Sequence, residues 1–335
     1  MNIINNLYHD LLSKILDKGY WYEDRKRKVK CLQIPSDRLE ISLDDFPAIT
    51  TKSLFFKGIV GELLWFLKGA NNIKYLIDNN INIWNKDAYN WYLLNSTKPK
   101  KDIDTFIQCI KNDIFVDEEC KGDYCFGDVG RNYGMQWRKW LNFNHINGIP
   151  NWVGEIDQIE RLICGLENHP INRRHIVTAW NPAEINNTAL PPCHWSFEII
   201  PQPIENGYGF TLQWFQRSTD VFLGLPFNIS SYALLAHIIG KITNMKPLYL
   251  IGNISNVHIY ENHLEAVKTQ LERDPNKYGP PILNISDNCE KIFKNYHKGI
   301  ISLNQVFKQL KISDFTFLEY QSYGKIQADM LEPKF

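Results

Sequence analysis

The run LPPCHWSFEIIPQPIENGYGFTLQWFQRS, residues 190–218, decides the fold. Residues 193–203 and 207–218 both read as strands, the second by its alternation. The Glu-Asn-Gly at 205–207 marks a hairpin turn between them. Upstream, RRHIVTAWNP (173–182) reads as another strand closed by proline. Downstream, NISSYALLAHIIGKITN (228–244) is apolar over enough residues to be a long buried helix. SLFFKGIVGELLWFLKGA (53–70) has helical periodicity and a glycine stop, and HIYENHLEAVKTQLERDP (258–275) reads as a helix with a charged face ending at proline. The pattern predicts an α+β fold, a sheet of mostly sequential strands backed by helices.

The 335 residues suffice for a sizeable core, and 44% apolar with 13% aromatic residues marks a folded chain. Lys+Arg and Asp+Glu both total 37, so the overall charge gives no reason to expect nucleic acid or an acidic membrane as partner. Seven cysteines, at 31, 109, 120, 125, 164, 193 and 289, are odd in number and lack paired CxxC spacing, which favours neither a disulfide framework nor a metal site. The opening MNIINNLYHDLLSKIL reads as an amphipathic helix rather than a signal peptide, and no stretch approaches the roughly 18 apolar residues of a membrane span. The expected location is the reducing cytoplasm. The expected organisation is one domain over 1–335, with an insertion at about 89–125 and a divergent tail at about 320–335.

Four features carry chemistry. Cys193 follows two prolines whose fixed φ angles define its backbone at a strand mouth, a mounting suited to an attacking thiol as well as to a small buried residue. Glu62 lies in an otherwise apolar helix, where a carboxylate is paired, hydrated or raised in pKa; it is either a helix-edge residue or a proton relay. In FQRSTDVFLGLPFNISSY (215–232), Arg217 and Ser218 suit an anion, Asp220 follows, and Gly224 permits close approach to the backbone. Asn228 there is either a helix N-cap or a reader that offers an acceptor and a donor together, matching the edge of uracil. Lastly, Arg173 and Arg174 are either a solvated pair or a phosphate grip.

FPAITTK, GELLWFLKG, IW, GDVGRNYGMQWR, RRHIVTAWNP, LPPCH, QRSTDVFLGLPFNISSYALL and VHIYENHLEAVKTQL occur in this order from 46 to 271, and together they resemble the thymidylate synthase family. That resemblance implies a two-fold homodimer joined through a sheet face, acting on dUMP with 5,10-methylenetetrahydrofolate as co-substrate and no metal. It implies Cys193 as nucleophile, Glu62 as organiser of water and protons, Tyr133 beside the C5 proton, and Asn228 as pyrimidine reader, with Arg217 and Asp220 assisting catalysis. Phosphate ligands would be Arg217 and Ser218, Arg173 and Arg174 from across the dimer, and Arg25. His258 and Tyr260 would bond the deoxyribose hydroxyl. Ile83, Trp84, Asp220, Gly224 and Phe227 would line the folate pocket, with Lys52 toward its glutamate tail.

The sequence departs from the family pattern in four places. DRKRKVKCLQIPSD lacks the glycines of the N-terminal phosphate loop; Arg131-Asn132 replaces an apolar pair; Ser255-Asn256 replaces Gly-Asp; and the tail YQSYGKIQADMLEPKF lacks a His-Pro and runs about three residues long. The tail and Arg131-Asn132 favour a sister reaction, dUMP hydroxymethylation, in which water rather than hydride adds to the methylene intermediate. Trp84, which covers that intermediate in the family, favours the synthase. A third alternative is an inactive relative that binds nucleotide or RNA, which intact Cys193, Glu62 and Asn228 argue against. A nucleotide titration with a turnover test separates it.

Overall fold

A seven-stranded mixed sheet organises the chain. The computed structural model describes residues 2–24, 29–96, 101–114, 126–146 and 148–328, apart from the side chains of Asp24, His145 and Ile146. In chain order the strands are β1 (Tyr20–Asp24), β2 (Val29–Ser42), β3 (Trp140–Ile146), β4 (Ile149–Ile156), β5 (Ile176–Thr178), β6 (His194–Ile204), β7 (Gly207–Gln216), β8 (Thr219–Asp220), β9 (Lys246–Tyr260), β10 (Ile282–Ile285) and β11 (Phe315–Leu318). The main sheet runs β1-β2-β9-β7-β6-β5, with β8 also paired to β9; β3-β4 and β10-β11 are separate hairpins.

The 190–218 stretch folds as its pattern requires. Ile204 pairs with Gly207 across the two-residue turn Glu205-Asn206, and Gly207 takes a φ of +114°, open to glycine at little cost. Strand order is less sequential than the pattern suggested. β9 lies between β2 and β7, antiparallel to the first and parallel to the second. A parallel neighbour needs a crossover, and the helix Gly224–Thr243 supplies it, which local pattern cannot reveal.

Alternation assigns the faces. Val177, Phe197, Trp214 and Gly252 lie side by side across four strands, and the three side chains are fully buried. Gly252 is required there, since a Cβ would stand 2.3 Å from the Trp214 ring. Truncating that indole would cost about 3–5 kcal/mol. Helices Ile3–Lys18 and Gly224–Thr243 pack on this face, and helix Phe56–Leu67 packs on the latter. The opposite face carries Ile176, Glu198, Gln213 and Ile251, with Ile200, Thr211 and Tyr249 in the adjacent row.

Three expected elements differ. The strand expected over 173–182 is ordered as a strand only at Ile176–Thr178. The helix expected from 228 begins at Gly224, with Leu223 as its N-cap, so Asn228 is an interior residue and not a cap. The helix expected over 258–275 is confined to Leu264–Leu271 behind a short 3-10 turn, because residues through Tyr260 finish β9. In the expected insertion, helices Asn85–Asn95 and Ile103–Lys111 are formed, while 97–100 and 115–125 lie outside the described residues.

Candidate active site

The loop before β6 is pinned by the strand beside it. Arg217, just past β7, donates from Nε to the Pro192 carbonyl and from Nη2 to the Pro191 carbonyl, both at 2.8 Å. Its amide donates to the Cys193 carbonyl at 2.9 Å. Two prolines supply no amide donors but leave their carbonyls free to accept, so the sequence that stiffens the loop also provides its anchor. A guanidinium has five N–H groups, and Arg217 retains donors for an anion.

The Cys193 amide donates to Tyr133 Oη at 2.7 Å. Tyr133 is buried at the start of helix Tyr133–Arg138, its ring 4.3 Å from that of His194 and 6.3 Å from that of Trp84. Burial, with Cys193 and Glu62 as further influences, raises its phenol well above the usual range. Trp84 Nε1 donates to Glu62 Oε1 at 2.6 Å. Burial pushes Glu62 up to about 7, and the indole hydrogen bond opposes that shift. Glu62 is therefore a carboxyl that can exchange a proton near neutrality, not a helix-edge residue in water.

On the other side of Cys193, Asn228 Oδ1 accepts from Gln216 Nε2 at 3.1 Å, and Gln216 Oε1 accepts from Trp214 Nε1 at 3.2 Å. The chain fixes the Asn228 amide: its oxygen keeps one lone pair and its nitrogen both protons for a ligand. Gly224 leaves space beside it; a Cβ there would sit 3.8 Å from Asp220 Cβ and 3.9 Å from Asn228 Oδ1. Asp220 Oδ1 accepts from the amides of Phe222 and Leu223, at 3.0 and 3.1 Å, which shapes the turn into the helix. Ser218 is partly exposed, and its carbonyl accepts from Gln216.

His258 is buried on β9, paired with Asp220 of β8, its Nδ1 2.7 Å from the Asn256 carbonyl. Tyr260 packs edge-on to it at 4.9 Å. Ile83 and Phe227 are partly buried against the core. Lys52 is buried rather than extended into solvent: its ammonium donates to the Phe222 carbonyl and lies 3.5 Å from that ring's centre. Burial draws it down to about 7, with Asp220 opposing and Arg273 adding to the shift. A chain of contacts thus joins Glu62, Trp84, Tyr133, Cys193 and Arg217, and strand pairing carries it through Gln216 to Asn228. Arg173 and Arg174 are exposed on the loop before β5 and outside that chain. Arg25 lies outside the described residues.

Two of the departures belong to the scaffold. Arg131 pairs with Glu184 at 2.7 Å and donates to the Lys139 carbonyl. Asn132 caps helix Tyr133–Arg138 and donates to the Leu190 carbonyl at 2.8 Å. Neither residue gives grounds for water entry. Asn256 takes a φ of +43°, tolerable for asparagine, and donates to the Arg217 carbonyl at 2.7 Å.

Two residues escaped the sequence reading. His194 follows the thiol within LPPCH, and Gln216 opens QRSTD; both motifs were in view. The missing information was their pairing, since His194 and Gln216 lie opposite each other at the β6-β7 end.

The thymidylate synthase family model matches residues 6–332. A thymidylate synthase of Mesoplasma florum is 40% identical over 325 residues, 96% of this chain and 98% of its own length. That of Malacoplasma penetrans is 38% identical over 321 residues, with the same coverage, and that of Staphylococcus haemolyticus is 38% identical over 314 residues, 88% and 93% of the two chains.

Proposed function

This chain belongs to the thymidylate synthase family, and from that premise we propose how its residues work. It is a methyltransferase that converts dUMP to dTMP, with 5,10-methylenetetrahydrofolate as the co-substrate that supplies the carbon and the hydride. The Cys193 thiolate adds to C6 of the pyrimidine, which makes C5 nucleophilic toward the folate methylene. Asn228 reads the uracil edge through the amide that Gln216 holds. Glu62, with a pKa near neutrality, moves protons through bound water, and Tyr133 stands near the C5 proton. Arg217 and Ser218 grip the phosphate, joined by Arg173 and Arg174 of a second copy and by Arg25; His258 and Tyr260 bond the deoxyribose hydroxyl. Ile83, Trp84, Asp220, Gly224 and Phe227 line the folate pocket. Lys52 reaches the glutamate tail only if its ammonium leaves the Phe222 carbonyl.

The observation that carries the choice of hydride over water is the Trp84–Glu62 hydrogen bond. It holds an indole against the carboxyl, where a covering group excludes water from a reactive methylene. The homodimer reading rests on the bare sheet face, where Ile176, Ile200 and Tyr249 are 52%, 44% and 43% exposed. Exposed apolar side chains in two adjacent rows of one sheet face suit an isologous contact. No helix among the described residues is long and apolar enough to cross a membrane. We place the enzyme in the cytoplasm, a reducing compartment that keeps the Cys193 thiol available for attack.

The test is the product. Incubation with dUMP and methylenetetrahydrofolate, read by mass spectrometry of the nucleotide and absorbance of dihydrofolate, is expected to give dTMP and dihydrofolate in equal amounts. A nucleotide one oxygen heavier than dTMP, with no dihydrofolate, would overturn the synthase reading in favour of hydroxymethylation.

A further inference from the structure

Tyr232 lies one helical turn beyond Asn228 and is buried, with 3% of its surface exposed. Its ring stacks on Trp214 at 5.4 Å and 12°, and meets His194 edge-on at 5.4 Å and 89°. Tyr232 Oη lies 2.9 Å from His194 Nδ1. One face of the imidazole is covered by Tyr133, whose hydroxyl accepts from the Cys193 amide. Two aromatic contacts and one hydrogen bond therefore fix the ring plane immediately after the nucleophile.

Burial draws His194 down to about 3, so the imidazole is neutral around pH 7, with one nitrogen a donor and the other an acceptor. The Tyr232 contact decides which. An imidazole sp² nitrogen is a strong acceptor and a phenol O–H a strong donor. The reverse arrangement, Nδ1–H donating to the phenol oxygen, would leave the phenol proton unpaired in a dry core, a penalty of about 1–3 kcal/mol. At 1.4 kcal/mol per decade, even the lower end of that range favours one tautomer several-fold.

We propose that Tyr232 is a positioning residue that locks His194 as the Nε2–H tautomer, giving the site a neutral N–H donor beside Cys193. Resting on the synthase reading, its role is to hydrogen-bond a pyrimidine carbonyl oxygen, directly or through a water, as negative charge builds there on thiolate addition. A neutral donor suits this task because it stabilises charge without surrendering its own proton.

The experiment separates tautomer from turnover. Protein labelled with 15N-histidine is examined without substrate by long-range 1H–15N correlation, with His194→Gln identifying the signal. An Nε2–H pattern is expected, and an Nδ1–H pattern overturns the proposal whatever any variant does. Tyr232→Phe keeps both ring contacts but removes the donor. Its His194 should show mixed tautomers, and kcat should fall in proportion to the lost Nε2–H fraction, about twofold for an even mixture, while KM for dUMP stays unchanged. An unchanged tautomer and kcat in a folded Tyr232→Phe protein also overturns the proposal. If Tyr232→Phe does not fold, the spectrum of the parent protein still decides. If the parent shows Nε2–H but forms no dTMP, the synthase reading fails and the tautomer assignment stands.

Discussion

Glu62 shows how one residue can serve function at the cost of stability. In the folded protein its carboxyl has a pKa of about 7, against about 4.5 in the unfolded chain, chiefly through burial. Between those values the folded state binds more protons, so stability falls as pH rises through that window, and the loss is complete above the folded pKa. Glu62→Gln retains an oxygen for the Trp84 indole and removes the titration. Relative to the parent, it should gain stability between pH 5 and pH 8.5, by on the order of 3 kcal/mol, while losing nearly all turnover. Urea unfolding at the two pH values reads this. A variant-to-parent difference that does not change with pH would show that Glu62 is ionised in the folded protein throughout. The sequence exposes the anomaly, since a charged residue within GELLWFL is conspicuous. It hides the cause, because Trp84 is 22 residues away and only the fold brings the indole to the carboxyl. Asn228 was legible as cap or reader in equal measure. Where the helix begins decides it, and that depends on the Asp220 turn rather than on Asn228 itself.

Elements were legible where their signal is local. The β6-β7 hairpin follows from alternation and a two-residue turn; the place of β9 does not, because its neighbours are some 30 to 200 residues distant in the chain. The tail is a second case. Residues 320–324 differ from the family pattern, yet they are attached to the 49–54 segment by specific contacts. Tyr320 Oη donates to the Ile49 carbonyl, the Tyr323 amide donates to Thr50, and Arg273 Nη1 donates to both the Thr51 and Gly324 carbonyls at 2.7 and 2.8 Å. The Asp274 amide donates to Tyr323 Oη at 3.2 Å. Arg273 is thus the clip at the base of the tail, next to the segment that carries Lys52. Arg273→Met keeps an unbranched side chain but removes the donors and the guanidinium that lies 5.2 Å from the centre of the Tyr323 ring. Amide exchange at Tyr323 should rise about tenfold or more, the equivalent of one lost hydrogen bond to a charged group. Weaker closure of the tail should raise KM for methylenetetrahydrofolate more than KM for dUMP. Unaltered exchange at Tyr323 would show that the backbone bond to Thr50 holds the tail alone.

At the scale of the whole molecule, Arg217 is the one proposed phosphate cation that the described part of a single chain brings to its site. Arg173 and Arg174 are exposed before β5, the last strand of the sheet, and make no contact with the chain of residues from Glu62 to Asn228. That same strand contributes Ile176 to the bare apolar face. A two-fold contact through that face would give each copy's loop access to its partner's phosphate site, and would explain why two adjacent arginines form no ion pair among the described residues. Neither the face nor the reach of the loop is visible in the sequence, where RR before a strand reads first as a solvated pair. Mixing two inactive proteins tests the arrangement. Cys193→Ser lacks the thiol and Arg174→Glu replaces a cation with an anion, so each homodimer is expected to be inactive. In a mixed dimer, one site has both defects and the other has neither, and random exchange should restore up to about a quarter of the parent activity per total protein, following the isologous geometry. The mixed dimer can be confirmed by native mass spectrometry of differently tagged chains. Mixed dimers without recovered activity would mean that each copy uses its own Arg174, and the phosphate grip would then have to close within a single chain.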